Sequence, residues 1–371
     1  TGTQNVAIGT DALNANTTGN FNTAIGPSSL ESNTVGIQNV AIGLSALQEN
    51  IDGNLNVAIG SIALEKNQSG GNNLAIGFSS LNRNTTGESN IALGHDALKF
   101  SSEGSGNIAL GNPAMENNST GFNNIAVGNA SPLNGNSSGN NNIGLGTAAL
   151  YENSSGSNNI ALGEEAMFSN TSGSYNIATG HKSLYNNTTG ILNVANGYKA
   201  LYSNTTGHDN IASGHEALYV NTEGSDNIAS GYQALFFNST GNNNIANGKY
   251  ALYSNTEGNA NIALGLNALA ANTIGESNIA IGKSALTNTT NGDGNVAIGN
   301  LALKDNQTGI NNVALGRNAG TNNVTGSNNL FLGSFAGWSE TGSNKLFIGS
   351  YESEGHIPLI YGEFDDALLT F

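Results

Sequence analysis

Asn56-Val57-Ala58-Ile59-Gly60-Ser61-Ile62-Ala63-Leu64-Glu65-Lys66-Asn67-Gln68-Ser69-Gly70 is one statement of a motif that fills most of this 371-residue chain. The glycine that closes N-V-A-I-G recurs at Gly9, Gly26, Gly43, Gly60, Gly77, Gly94, Gly111 and Gly128, seventeen residues apart. One step of eighteen leads to Gly146, seventeens resume through Gly333, and a sixteen leads to Gly349. Periodicity this strict means a solenoid in which each unit stacks on its neighbours. Function is then to be sought on the surface and in partners before any single pocket.

Within the unit, Asn56-Val57-Ala58-Ile59 is β-prone and alternates in size, as a short strand does. Gly60 permits a sharp bend at positive φ. Ala63-Leu64 closes a second short strand or turn that contributes one large apolar side chain, and Asn67-Gln68-Ser69-Gly70 is a turn by composition. Glycine and β-favouring residues recur too often for a helix. Each unit is therefore expected to be one coil of an all-β parallel β-solenoid, about twenty coils in all, rising about 4.8 Å per coil. The repeat region is taken as 1–343, followed by a capping or transition segment at 344–371.

The asparagine before the strand recurs from Asn5 to Asn329, with Lys345 in its place in the last unit. In register, such amides can hydrogen-bond from coil to coil as a ladder. The alanine two before the glycine stays small from Ala7 to Ala314, on the face opposite the Ile, Val and Leu beside it. That constancy suggests close packing against it. A coil of seventeen residues encloses only a thin core. Together these favour a core shared with copies of the chain, and a homotrimer is expected.

The chain carries 26 acidic and 10 basic residues, a net charge of −16. Nucleic-acid binding needs a basic footprint and is not expected. Without cysteine there is neither a disulfide framework nor a thiolate metal site. No apolar run approaches the roughly 20 residues of a membrane helix. The chain opens inside a repeat, at Thr1-Gly2-Thr3-Gln4-Asn5. An export signal or membrane anchor is expected only in segments outside it, and the location is expected to be extracellular, on a cell or a virion-like particle.

The N-[I/V]-A-[I/L]-G units, such as Asn39-Val40-Ala41-Ile42-Gly43, resemble the head repeats of trimeric autotransporter adhesins, from Thr1 to about Gly349. The resemblance implies a trimeric left-handed parallel β-roll. The period here is about three residues longer than that family's usual one, and the family's coiled-coil stalk and anchor are not in the chain. Leu346-Phe347-Ile348-Gly349 and Ile357-Pro358-Leu359-Ile360-Tyr361-Gly362-Glu363-Phe364 are similar to the segment preceding an intramolecular chaperone in bacterial and phage fibre proteins.

No catalytic constellation or cofactor motif is found, and the chain is not expected to be an enzyme. His95, His181, His208, His215 and His356 form no metal-ligand motif. Glu164-Glu165 and Asp365-Asp366 are adjacent, so on an extended chain their carboxylates diverge. Gly104-Ser105-Gly106 lacks the context of a dinucleotide site. Asn-x-Ser/Thr triplets such as Asn16-Thr17-Thr18, Asn84-Thr85-Thr86, Asn187-Thr188-Thr189 and Asn204-Thr205-Thr206 read as turn chemistry. An ice-binding threonine array is disfavoured by Val35, Asp52, Glu223, Glu257 and Ile274.

One block departs from the pattern. Five residues after the glycine, early units carry Asn14, Glu31, Gln48, Glu65, Asn82, Lys99 and Glu116, and then successive units carry Tyr151, Phe168, Tyr185, Tyr202, Tyr219, Phe236 and Tyr253. The column reverts at Ala270, Thr287 and Lys304. Over much of that stretch the residue before the glycine becomes Thr179, Asn196, Ser213, Ser230 and Asn247, and the residue after it His181, Tyr198, His215, Tyr232 and Lys249. Three columns that change together are expected to adjoin or share an environment. Two readings stay open: an aromatic ladder that stacks on sugars or grips a cell-surface receptor, or an alternative packing of subunits. The functional expectation is the rod-like head or shaft of a bacterial surface adhesin. The alternatives are a tail fibre of a phage or contractile injection system, and a structural filament subunit.

Overall fold

A computed structural model describes residues 2–130, 132–350, 358–365 and 368–370. The chain divides into two compact units, Thr1–Gly190 and Ile191–Phe371. Among the described residues there is no helix. The architecture is a parallel β-solenoid of about twenty coils, each built as the sequence predicts: one three-residue strand, then a series of tight turns.

The first unit holds β1 (Val6–Ile8) to β11 (Ile177–Thr179), one strand per coil. Neighbours pair parallel and in register, so that Val57, Ala58 and Ile59 lie beside Leu74, Ala75 and Ile76. The extra residue of the eighteen-residue period falls between Gly128, which follows β8 (Ile125–Val127), and Leu133. The register is intact again at β9 (Ile143–Leu145), with Ile125 beside Ile143. The second unit repeats the scheme from β12 (Val194–Asn196) through β20 (Leu330–Leu332) to β21 (Lys345–Ile348). There the parallel order ends. β22 (Ile360–Glu363) runs antiparallel to β21, and β23 (Leu368–Thr370) antiparallel to β22, so the last parallel strand's edge is covered by a hairpin. His356, Ile357 and Asp366 lie outside the described residues.

Backbone hydrogen bonds run chiefly between coils. In the coil of Asn56, Gly60 N donates to Ile42 O at 2.8 Å and Ile62 N to Leu44 O at 2.8 Å on one side. On the other, Val57 N donates to Asn73 O at 2.8 Å and Leu64 N to Ser80 O at 3.0 Å. The segment ending in Ala63-Leu64 is turn, not strand, and its geometry is unusual. Leu55, Ile62 and Leu64 sit at φ of 60°, 52° and 50°, a left-handed region that costs non-glycine residues about 1–2 kcal/mol each. Gly43 shows why its column admits no side chain. Its φ is 137°, and a Cβ there would stand 2.5 Å from the carbonyl oxygen of Gly60 in the next coil.

The core lies inside each coil. Asn56, Ala58, Ala63, Leu64 and Asn67 are all fully buried. This corrects one premise of the sequence reading. The alanine is small because it faces the leucine of its own chain across a thin interior, so its constancy requires no partner. The Ile, Val and Leu on either side of it point outward instead and stay partly exposed: Ile42 at 36%, Ile76 at 38%, Ile298 at 40%, Leu315 at 39%.

The asparagine ladder is present and is doubled. Asn56 Nδ2 donates to Asn39 Oδ1 at 3.2 Å and to Gly70 O at 2.8 Å, and Asn56 N donates to Asn39 Oδ1 at 3.0 Å. A second ladder uses the asparagine of the Asn-x-Ser/Thr triplets: Asn67 Nδ2 donates to Asn50 Oδ1 at 2.7 Å and to Gly70 O at 2.9 Å. In the second unit Asn244 and Asn255 likewise converge on Gly258 O, at 2.8 and 3.0 Å. Buried amide nitrogens thus find partners in adjacent coils and in their own turn, which removes a desolvation cost of about 1–3 kcal/mol per orphaned group. The second ladder nonetheless leaves the Oδ1 atoms of Asn84, Asn272, Asn306 and Asn323 without a partner among the described residues.

At β20 the core changes composition. Phe331 takes the alanine position and is fully buried, while Gly320 and Gly337 take the leucine position. Phe331 packs at 5.8 Å against Phe347 of β21, which meets Tyr361 of the hairpin edge-on at 5.1 Å. Lys345, in the asparagine column, ends the ladder, its backbone N donating to Asn329 Oδ1 at 2.9 Å. Its side chain pairs with Glu363 Oε1 at 2.8 Å.

Candidate functional site

The aromatic column is formed as expected, and each unit carries its own part. In the first, Tyr151 stacks on Phe168 at 5.0 Å between centroids and Phe168 on Tyr185 at 5.2 Å, with both pairs 8° from parallel. In the second, Tyr202, Tyr219, Phe236 and Tyr253 follow at 5.1, 5.1 and 5.4 Å. The spacing follows from the coil rise: identical positions on successive parallel coils place rings face to face.

This geometry restricts what the column can offer. A ring inside the stack turns both faces to its neighbours, so only its edge and hydroxyl reach solvent. Sugar stacking requires a free face. Within the column, that condition is met only where the stack stops.

A second stack lies alongside. Tyr198 and His215 are 4.9 Å apart, His215 and Tyr232 5.0 Å apart. In the first unit, His181 lies with Nε2 3.7 Å from Glu164 Oε2. The two stacks adjoin through the residue two after the glycine, a column that sequence reasoning missed. Lys199 Nζ sits 5.2 Å from the Tyr198 ring, 5.5 Å from Tyr202 and 5.8 Å from Tyr219. A hydrogen bond to Tyr198 is the main cause holding the Lys199 ammonium above its ordinary value, with burial opposing. Tyr250 plays the corresponding part further on, meeting Tyr232 at 5.6 Å and Tyr253 at 5.4 Å, both edge-on. The signal was available, since Lys182, Lys199, Glu216, Gln233 and Tyr250 follow at intervals of seventeen. The polar third column occupies the outer strand face, where Asn196, Ser213 and Asn247 are exposed.

The aromatic stacks are therefore a narrow platform of ring edges with a cation between them. Lys249 Nζ extends it, 5.4 Å from Tyr232 and 5.0 Å from Tyr250. Such contacts are worth about 0.5–1 kcal/mol each at exposed sites. Among the described residues, no group of three or more His, Asp or Glu side chains could hold a metal ion. No protein-family model matches the chain, and no curated protein matches it.

Proposed function

We propose that the chain is the repeat segment of an extracellular attachment fibre that assembles with copies of itself, three to a fibre, as the head or shaft of a bacterial surface adhesin. One observation carries this reading: the outward columns of Ile, Val and Leu, partly exposed on coil after coil in both units. Apolar side chains repeated at the coil rise invite a partner with the same repeat, and another copy of the chain has it. Burial of these columns in an assembly contributes about 25 cal/mol per Å² of apolar surface. The charge of −16 limits unspecific association.

Sedimentation analysis is the direct test. Three copies are expected in the particle, and Ile262→Lys with Ile279→Lys and Val296→Lys should return it to single chains with the β spectrum intact. A wild-type monomer at micromolar concentration sinks the reading. Beads coated with the assembled protein should then adhere to target cells. Leu346-Phe347-Ile348-Gly349 and the segment from Ile357 to Phe364 resemble the stretch that precedes an intramolecular chaperone in bacterial and phage fibre proteins. That resemblance supports a second reading, a tail fibre of a phage or contractile injection system, whose genes would lie beside tail genes.

A further inference from the structure

Where the aromatic column of the second unit ends, it leaves an opening. The residues after Tyr253 in that column are Ala270 and Thr287, so for two coils, roughly 9–10 Å, nothing replaces the ring. A shallow surface groove, open to solvent and of about 420 Å³, lies at the gap, lined by Gln233, Tyr250, Tyr253, Asn267, Ala270 and Thr287. That volume falls in the range of small-molecule sites, roughly 300–1,000 Å³.

We propose that this open groove is a binding subsite for one pyranose ring of a neutral saccharide. Three features favour that class of ligand. Tyr253 stacks on Phe236 on one side only, and its column puts the methyl group of Ala270 next, so a ring face is available where the rest of the column offers edges. The C–H groups of a pyranose lie against such a face, which carries partial negative charge. The walls bring two carboxamides and three hydroxyls, which donate and accept as sugar hydroxyls do. Of these, Gln233 Nε2 already donates to Glu216 Oε2 at 2.7 Å and Thr287 Oγ1 to Asn267 O at 3.0 Å. No lining residue is itself charged. The two charges that touch the walls are of opposite sign: Lys249 Nζ lies 5.0 Å from the Tyr250 ring, and the Glu216 carboxylate accepts from Gln233. No single charge therefore selects for an anion or a cation.

The site is also held in place by the fold. Asn267 N donates to Lys249 O at 3.0 Å, and Thr287 Oγ1 donates to Asn267 O at 3.0 Å. Tyr253 is fixed by Phe236 behind it and by Phe237 and Tyr250 edge-on, at 5.2 and 5.4 Å. A preformed site spends little free energy on ordering itself when ligand arrives. The proposal deepens the attachment reading, and rests on it for the surface on which saccharide would be met.

The test is saturation-transfer NMR on the intact chain with the methyl pyranosides of glucose, galactose, mannose and N-acetylglucosamine. Transfer to at least one of them is expected, strongest on the protons of one ring face. Ala270→Tyr continues the column by one ring and should fold as wild type while reducing transfer about tenfold or more. If that variant melts early, Gln233→Ala with Asn267→Ala tests the same site through its amides. Absence of transfer from wild type, or undiminished transfer in a folded blocking variant, overturns the proposal. Bead adhesion separates the two readings. Adhesion surviving in Ala270→Tyr leaves attachment standing without this site, and saccharide binding without adhesion does the reverse.

Discussion

Phe331 and Gly337 share one space: a Cβ built on Gly337 would overlap the Phe331 ring, as would one on Gly320, 2.5 Å from Phe331 Cδ2. In most other coils the same two positions hold alanine and leucine, with Gly144 in the first column and Met115, Met167 and Gly320 in the second as exceptions. Gly337→Leu should therefore destabilise by about 1–3 kcal/mol through overpacking. Phe331→Ala should cost about 3–5 kcal/mol through the cavity it leaves. Combined with Gly320→Leu and Gly337→Leu, it restores the composition of the other coils and should lie close to wild type. Urea unfolding of the set measures the coupling, and simple additivity would contradict this account.

The paired ladders make a second prediction. Gly70 O accepts from both Asn56 and Asn67, so either loss alone leaves it satisfied. Asn56→Ala orphans Asn73 N, which donates to Asn56 Oδ1 at 3.0 Å, and should cost about 1–3 kcal/mol. The double variant with Asn67→Ala should cost more than the sum, because the carbonyl then loses both donors. Denaturant midpoints at unchanged slope are the measurement.

Some left-handed residues gain nothing from their side chains. Leu55 is 50% exposed at a φ of 60°, while equivalent positions carry Asn72, Asn123, Asp209 and Asn243 at similar angles. Asparagine tolerates that conformation better than leucine. Leu55→Asn should raise stability by about 0.5–1 kcal/mol. An unchanged or lower melting temperature would show that the leucine side chain contributes more than its exposure suggests.

At the hairpin, pH should act in two directions. The hydrogen bond with Lys345 is the main cause holding the Glu363 carboxyl below its ordinary value, and that with Glu363 the main cause holding the Lys345 ammonium above its own. The acid's contribution is present above the ordinary carboxylate range and is lost as pH falls through its lowered value. The lysine's contribution is present below the ordinary lysine range and is lost as pH rises through its raised value. Between the two, protection of the β22 amides against exchange, corrected for intrinsic rates, should be flat. Glu363→Gln should abolish the acid limb.

The register was legible because every column repeats at one interval. Glycine at Gly43 and Gly60 and asparagine at Asn39 and Asn56 need only be counted to align the coils. The second ladder was equally regular, from Asn16 to Asn323 with Ser101 and Thr289 as exceptions, but its triplets Asn-x-Ser/Thr read as surface turns. Burial of Asn84 and Asn187 shows that the side chain points inward while the hydroxyl residues stay outside. The left-handed leucines could not be read at all. Leucine disfavours that conformation on its own, and only burial of the Leu64 side chain offsets it. For the aromatic block, sequence located the columns but not the orientation of the rings, which decides where a free face exists.

Because each coil answers only to the coils on either side of it, the gene can change length in whole periods. Removing one seventeen-residue unit within a run brings like residues together again, with every carbonyl and amide re-partnered. Removing any other number within a strand or ladder breaks the alignment from that point on. Recombination between near-identical repeats is thus filtered by folding itself, and variation in reach among descendants should come in quanta of one coil.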